Sequence, residues 1–374
     1  MNSRALVIAQ KELLQLSRDR LTLAMMAVLP VMLLVLFGYA INTDVRHIPT
    51  VVDDQDRTAQ SRDLVRRMEA TGFYDVVGAV TGYDQIERAL RSGKARVALV
   101  IPAQFEANLA RGAPAQAQLV VDGSDPQIVG SAQGTATLLA AARSEQIRHA
   151  RSGPRGAQGA PPIELVPDIL YNPDQRTAVY VVPGLIGVIL TMTMVMLTAM
   201  ALARERERGT LEQLVVSPVR PLELVIGKII PYVLIGYGQM LLILVFARTV
   251  FGVHVRGSLI LLFALAFLFI AANLAVGLFF STLAATQQQA MQMSFFFLLP
   301  NILLSGFMFP FEAMPLPAQL LSQALPLTHF LRIVRGIVLK GGVFSELRSE
   351  FVWLSGILAV LVALSSLRFR KKLV

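Results

Sequence analysis

Along most of the chain, uncharged apolar runs of membrane length alternate with short polar connections. Residues 21–41 (LTLAMMAVLPVMLLVLFGYAI) carry no charge and approach the roughly 20 residues that cross a hydrocarbon core. The run is long for the core of a signal peptide and no small-residue cleavage site follows it, so it reads as a first span. Further apolar runs at 178–203, 229–247, 258–283, 290–309 and 351–367 bring the expectation to six membrane-crossing helices. Ahead of the first, Leu6, Ala9, Leu13 and Leu16 recur at three- and four-residue spacing among Arg4, Lys11, Glu12 and Arg18. That pattern predicts an amphipathic helix over residues 1–20, lying on the inner membrane surface.

Residues 42–175 follow a different pattern. Strand-like pieces occur at Thr50-Val51-Val52, Asp75-Val76-Val77, 96–101 (RVALVI) and 118–121 (QLVV), with helix-like stretches between them. Asp84 is placed to cap a helix beginning DQIERAL, Pro102 precedes a helix start at AQFEANLA, and 127–150 predicts a longer helix. Residues 152–162 (SGPRGAQGAPP) have the composition of a flexible linker. The expectation is a small α/β domain with a mixed sheet, inserted between the first two spans. The fold class is therefore a polytopic α-helical membrane protein, six transmembrane helices with one inserted extracytoplasmic α/β domain, the remaining spans occupying 176–374.

Composition and charge sharpen this picture. The chain is 54% hydrophobic and only 16% charged, which requires lipid as part of its solvent. Its net charge of +9 is no nucleic-acid footprint, because residues 42–178 hold 15 Lys/Arg against 16 Asp/Glu and the excess flanks the spans. Arg4, Lys11, Arg18 and Arg20 precede the first span. Arg204, Arg206, Arg208, Arg220 and Lys228 lie between the second and third, and Arg368, Arg370, Lys371 and Lys372 follow the sixth. With six crossings all three groups fall on one side, placing both termini in the cytoplasm. Arg332, Arg335, Lys340 and Arg348 are the exception, and the prolines and glycines of 310–350 predict external helices at the interface there.

Chemistry-bearing residues are sparse. With no cysteine, disulfides and thiolate metal sites are excluded, and the four histidines lack metal-binding spacing. Asp53, Asp54 and Asp56 read as a solvated turn, as does the stretch from Asp122 to Pro126. No phosphate-cradling GxxxxGK[ST] occurs: Gly227-Lys228 precedes Ile229, and Gly93-Lys94 precedes Ala95. Cofactors are expected to be none in this chain, with ATP and Mg used by a separate polypeptide.

The stretch 204–228 (RERERGTLEQLVVSPVRPLELVIGK) is the most informative. Thr210 and Gln213 have capping-box spacing, which predicts a short helix from Leu211 to Ser217-Pro218, with Pro221 opening the next helix. This sequence resembles the signature loop of ABC-2 type permeases, as do 11–41, 281–315 and 325–341 (LPLTHFLRIVRGIVLKG), so the resemblance covers nearly the whole chain. It implies a bacterial inner-membrane subunit of the drug or small-molecule efflux subgroup with a large periplasmic domain. Glu207, Arg208, Gly209, Thr210, Leu211, Glu212 and Gln213 would engage an ABC ATPase subunit. It also implies a second permease copy or a paralogue as partner, and a periplasmic adaptor.

Within the spans, helical phasing sets Thr191 and Thr198 on one face of the second span and Met192, Met196 and Met200 on another. Thr191, Thr198, Met192, Met196, Gln239 and Asn301 are the pathway candidates, against the plainer reading of lipid-facing methionines and interhelical hydrogen bonds. No charge lies deep in a span, which favours an external energy source over proton antiport. Lipid, polymer or sodium export remain open alternatives. A membrane-tethered ligand sensor fits less well, for want of a sizeable cytoplasmic output region.

Overall fold

A computed structural model describes residues 45–152, 162–207 and 221–370. The expected helix at 1–20, the first span at 21–41 and most of the predicted linker lie outside the described residues. The α/β region runs β1 (Ile48–Asp54), α1 (Ala59–Ala70), β2 (Tyr74–Ala79), α2 (Tyr83–Arg91), β3 (Val97–Ile101), α3 (Phe105–Arg111), β4 (Ala115–Asp122), α4 (Pro126–Ser152) and β5 (Ile163–Leu170). The sheet order is β2-β1-β3-β4-β5. Only the β3–β4 pair is antiparallel, which makes the sheet mixed as expected.

Period-two alternation divides the strand side chains between two cores. Val97, Leu99, Ile101, Leu119 and Val121 pack with α1, α3 and α4, through Leu64, Met68, Phe105, Leu109 and Ile128. Ala98, Val100 and Val120 face the other way, onto Ile86 and Leu90 of α2. Both faces being covered accounts for the unbroken apolar run of β3. Two local expectations are corrected. Helix α2 begins at Tyr83, its N-cap position is Gly82 at φ +80°, and Asp84 sits in the first turn without capping. Strand β5 was not anticipated; Pro167 and its alternating charged residues obscure it, yet it pairs with β4 along its full length.

The helical region comprises α5 (Thr177–Glu207), α6 (Pro221–Thr249), α7 (Leu259–Leu283), α8 (Gln287–Leu304), a 3-10 turn (Phe311–Ala313), α9 (Leu316–Gln323), α10 (Pro326–Val338) and α11 (Arg348–Arg370). Among the described residues, four helices are long and apolar enough to cross a membrane: Thr177–Glu205, Ile230–Thr249, Leu259–Leu283 and Arg348–Ser365. Helix α8 is shorter than its predicted span at 290–309. It carries Gln287, Gln288, Gln289 and Gln292 in its first turns and ends before the positive-φ turn at Gly306. Capping is provided by Ser258 for α7 and Thr286 for α8.

Helices α5 and α7 form the centre. Their closest approach is at Gly277, where a Cβ would lie 2.6 Å from the Val195 carbonyl oxygen and 2.8 Å from Thr198 Cβ. Small residues at such crossings let helices gain dispersion contact where lipid supplies no hydrophobic drive. Helix α10, part of the stretch expected to lie externally at the interface, is almost wholly enclosed by its neighbours. Leu327 and Phe330 fill the space left by Gly187 on α5, and Phe330 stacks on Phe269 of α7 at 4.0 Å. Helix α7 is enclosed over 56% of its apolar window and α11 over only 11%, so α11 is peripheral. Gly277→Ala is expected to cost about 1–3 kcal/mol by overpacking, read as a lower unfolding temperature in detergent. Gly238→Ala, where a Cβ meets open space, should be neutral or stabilising.

Candidate functional site

Three places in the helical region hold groups whose chemistry exceeds packing: the C-terminal end of α5, the polar side chains inside the bundle, and the junction with the α/β region. Helix α5 continues without interruption to Glu207, the first residue of the predicted coupling segment. Arg208, Gly209, Thr210, Leu211, Glu212 and Gln213 lie outside the described residues. Glu207 accepts from the Gln287 backbone N–H at 2.8 Å and from Gln287 Nε2 at 2.5 Å, at the first residue of α8.

Inside the bundle, the pathway candidates separate by environment. Thr191 and Thr198 are buried, and neither Oγ1 has a hydrogen-bond partner among the described residues. Asn301 is fully buried on α8. Its Nδ2 donates to its own helix at Phe297 O, 3.0 Å away, while Oδ1 has no partner. Asn273 on α7 repeats this arrangement, donating to Phe269 O at 2.9 Å and leaving Oδ1 unpaired. Helices α5, α7 and α8, which carry these four groups, pack against one another. Gln239 accepts from Thr193 Oγ1 at 2.8 Å, tying α6 to α5. Met192 is 40% exposed and Met196 half-buried, on the outward face of α5. The threonine and methionine faces are thus distinct, with the threonines turned inward.

The junction was not anticipated as a site. Asp122, read from the sequence as a turn residue, ends β4 with its carboxylate buried between two cations. Lys340 Nζ donates to Oδ2 at 2.5 Å and Arg96 Nη1 donates to the same oxygen at 3.0 Å. Arg96 Nε also donates to Glu312 Oε1 at 2.9 Å, and Lys340 Nζ to the Leu90 carbonyl at 3.0 Å. Nearby, Arg91 Nε donates to Glu346 Oε1 at 2.8 Å and Gln127 Nε2 to the Met308 carbonyl at 3.1 Å. Arg96, Asp122 and Arg91 come from the sheet region, and Glu312, Lys340 and Glu346 from the segment between α8 and α11. Ala313 of that segment enters the sheet's own core.

Three of the four charges on 310–350 that broke the flank pattern therefore have identified partners. Lys340 pairs with Asp122, Arg332 with Glu350 at 3.3 Å, and Arg335 donates to the Gly306 carbonyl at 3.0 Å while lying 4.3 Å over the Tyr180 ring. Their position in a flank that should be poor in cations was the sequence signal that such partners exist. The carboxylates of Asp54 and Asp56 act as turn and cap acceptors, whereas Asp53, expected in the same solvated turn, is buried on β1 and accepts from Gln55 Nε2 and the Gly82 backbone N–H. Asp54 receives the Arg57 backbone N–H and the Ser61 hydroxyl, and Asp56 receives Thr58 Oγ1 and the Glu106 backbone N–H.

Burial opposes the charge on Asp122, but the Lys340 ammonium and the Arg96 guanidinium outweigh it and hold the carboxyl at about 2. Because folding lowers this pKa, its stabilisation is complete above the unfolded value of about 4 and is lost as pH falls towards the folded one. The unfolding temperature of the detergent-purified chain should therefore drop across that window, with part of the drop absent in Asp122→Asn. Asp122→Ala, which strands the buried Lys340 ammonium and leaves Arg96 with Glu312 alone, should cost about 3–5 kcal/mol at neutral pH. The double variant Asp122→Leu/Lys340→Met should lose less than Asp122→Ala alone.

Comparison with known proteins agrees with this architecture. The family described as "ABC-2 family transporter protein" matches residues 20–367. The Escherichia coli (strain K12) protein named "Probable multidrug ABC transporter permease YbhS" is 29% identical over 372 residues, covering 99% of this chain and 97% of that protein. Its counterpart named YbhR is 29% identical over 341 residues, 91% of each chain. ABC transporter G family member 20 of Dictyostelium discoideum is 23% identical over 98% of this chain and 49% of its own length. The chain belongs to the ABC-2 family of transporter proteins and is a permease, the membrane subunit of an ABC exporter.

Proposed function

We propose that this permease exports an amphipathic small molecule from the cytoplasm or inner leaflet by alternating access, driven by a separate ABC ATPase that docks on residues 207–213. Helix α8 and the run at 21–41 complete six spans around the four apolar helices. Both termini face the cytoplasm and the α/β domain stands outside, in the periplasm of a bacterial inner membrane. The basic flanks support this orientation, and the ion pairs made by Arg332 and Lys340 account for two of the four cations on the opposite side. The exposed apolar faces of α6 (Leu241, Leu242, Val245) and α11 (Val352, Val360, Val362) suit lipid and a second permease copy or paralogue. A periplasmic adaptor would meet the α/β domain.

The observation that carries the reading is the set of unpaired acceptors at Thr191, Thr198, Asn273 and Asn301, buried on three helices that pack together. An unpaired buried polar group costs about 1–3 kcal/mol, and such a group inside a bundle has a use when the helices separate and cargo or water enters. Helix α5 carries two of these groups and runs directly into the docking segment, so the energy input and the pathway share one rigid element. Names of the multidrug permeases among its relatives support the cargo class.

Co-purification with the ATPase and stimulation of its hydrolysis in proteoliposomes test this reading. Reversing charge with Glu207→Lys and Glu212→Lys should weaken the complex by at least about tenfold, as loss of interfacial charge pairs does, and abolish stimulation. Unchanged binding and stimulation would remove the assignment of residues 207–213.

A further inference from the structure

The contacts of Gln287 go beyond those of an ordinary helix start. Helix α8 follows α7 after the short turn 284–286, and its exposed backbone donors are completed from two sources. Thr286 Oγ1 accepts from the Gln289 backbone N–H at 3.2 Å, while Gln289 Oε1 accepts from the Ala285 backbone N–H at 2.8 Å, a reciprocal cap within the turn. The Gln287 backbone N–H instead goes to α5, to Glu207 Oε1 at 2.8 Å, and its side chain donates to Glu207 Oε2 at 2.5 Å. Gln287 Oε1 in turn accepts from Arg204 Nε at 3.1 Å. One glutamine thus spends its backbone donor and both ends of its amide on the last turn of α5, with a carboxylate facing the positive end of α8.

The packing beneath this clasp suits it. Ala199 and Ala203 of α5 meet Ala284 and Ala290, four buried small side chains that bring the two helix ends close, with Met200, Phe280 and Met293 around them. At the opposite end of the bundle, Tyr180 near the start of α5 donates to the Phe307 carbonyl just beyond α8, at 2.6 Å. Helices α5 and α8 are therefore hydrogen-bonded to each other's surroundings at both extremities.

We propose that Gln287 is a positioning residue for energy coupling: it locks the start of α8 to the end of α5, so that the two helices move as one body when the ATPase displaces the docking segment. The inference rests on the proposed role of residues 207–213. It adds that force reaches α8, and with it Asn301, through the Glu207–Gln287 contact rather than only along α5 into α6. Gln287 touches no cargo and no nucleotide; it acts through α8.

The test uses the full chain with its ATPase in proteoliposomes. Gln287→Leu should leave the ATPase bound but lower the stimulation of hydrolysis about tenfold, the scale of one lost charge-assisted hydrogen bond. The double variant Glu207→Ala/Gln287→Leu should be no worse than the poorer single variant, since both remove one interaction. Wild-type stimulation in Gln287→Leu, or multiplying effects in the double variant, would overturn the proposal. The chain has no cysteine, so Arg204→Cys/Gln287→Cys, which leaves Glu207 in place and bridges a contact seen at 3.1 Å, can be joined by a short thiol cross-linker without side reactions within this chain. Before cross-linking this pair should couple as poorly as Gln287→Leu, and cross-linking should restore stimulation. A cross-link that leaves stimulation low, or stops turnover, would show that the two ends separate during the cycle and would refute the proposal. If Glu207→Lys/Glu212→Lys uncouples while the Gln287 variants behave as wild type, only the role of Gln287 fails. If the charge reversal is silent, the docking assignment itself fails.

Discussion

The carboxylate of Asp122, buried between Lys340 and Arg96, fixes how the two halves of this protein sit together. A buried ion is tolerated only where its partner is held in place, because desolvation of either charge alone costs several kcal/mol. The α/β region supplies Asp122 and Arg96 and the segment between α8 and α11 supplies Lys340 and Glu312, so neither half can shift without exposing or stranding a charge. Such a pair adds little net stability compared with an apolar contact, but it specifies one arrangement. The lever it sets is short: Lys340 closely follows α10, and α10 is packed into α5 and α7.

From this junction the constraints run inward along α5. Its N-terminal end is held by Tyr180, bonded to the Phe307 carbonyl and covered by the Arg335 guanidinium. Its middle is pressed against α7 at Gly277, and its C-terminal end is bonded to the start of α8 through Glu207. Contacts at three levels tie α5 to its neighbours. That arrangement fits an exporter in which hydrolysis on one side of the membrane must alter a seam buried among α5, α7 and α8. The unpaired acceptors of Thr191, Thr198, Asn273 and Asn301 lie within those helices. Their burial is the local conflict expected where function takes precedence over stability.

Where the sequence was legible, one simple physical rule dominated. The helices at 177–207, 230–249, 259–283 and 348–370 followed from uncharged length, because lipid tolerates no unpaired backbone. Strands β1 and β3 followed from dense β-branched runs. Strand β5 escaped because Glu164, Pro167 and Asp168 make an edge strand resemble the end of a linker; its existence depends on pairing with β4. The enclosure of helix α10 was not legible because its prolines and basic residues are local signals, whereas its burial comes from the fit of Leu327 and Phe330 against Gly187. Asp122 looked like a turn because its partner Lys340 is 218 residues away in the chain. The cations at 332–348 nonetheless marked a place where charge needed an explanation, and for Arg332 and Lys340 the structure supplies it in ion pairs. The clasp at Gln287 had no sequence signature, since a lone glutamine at a helix start is ordinary until Glu207 is seen beside it.

The central claim is that this chain contributes the membrane pathway and the coupling surface while another polypeptide hydrolyses ATP. Nucleotide binding and hydrolysis, measured on the isolated chain, on the isolated ATPase and on the two reconstituted together in liposomes, test it most directly. The account predicts no nucleotide binding by this chain alone, and hydrolysis by the ATPase that rises when the chain is present. ATP binding by the isolated chain, or hydrolysis indifferent to its presence, would contradict it.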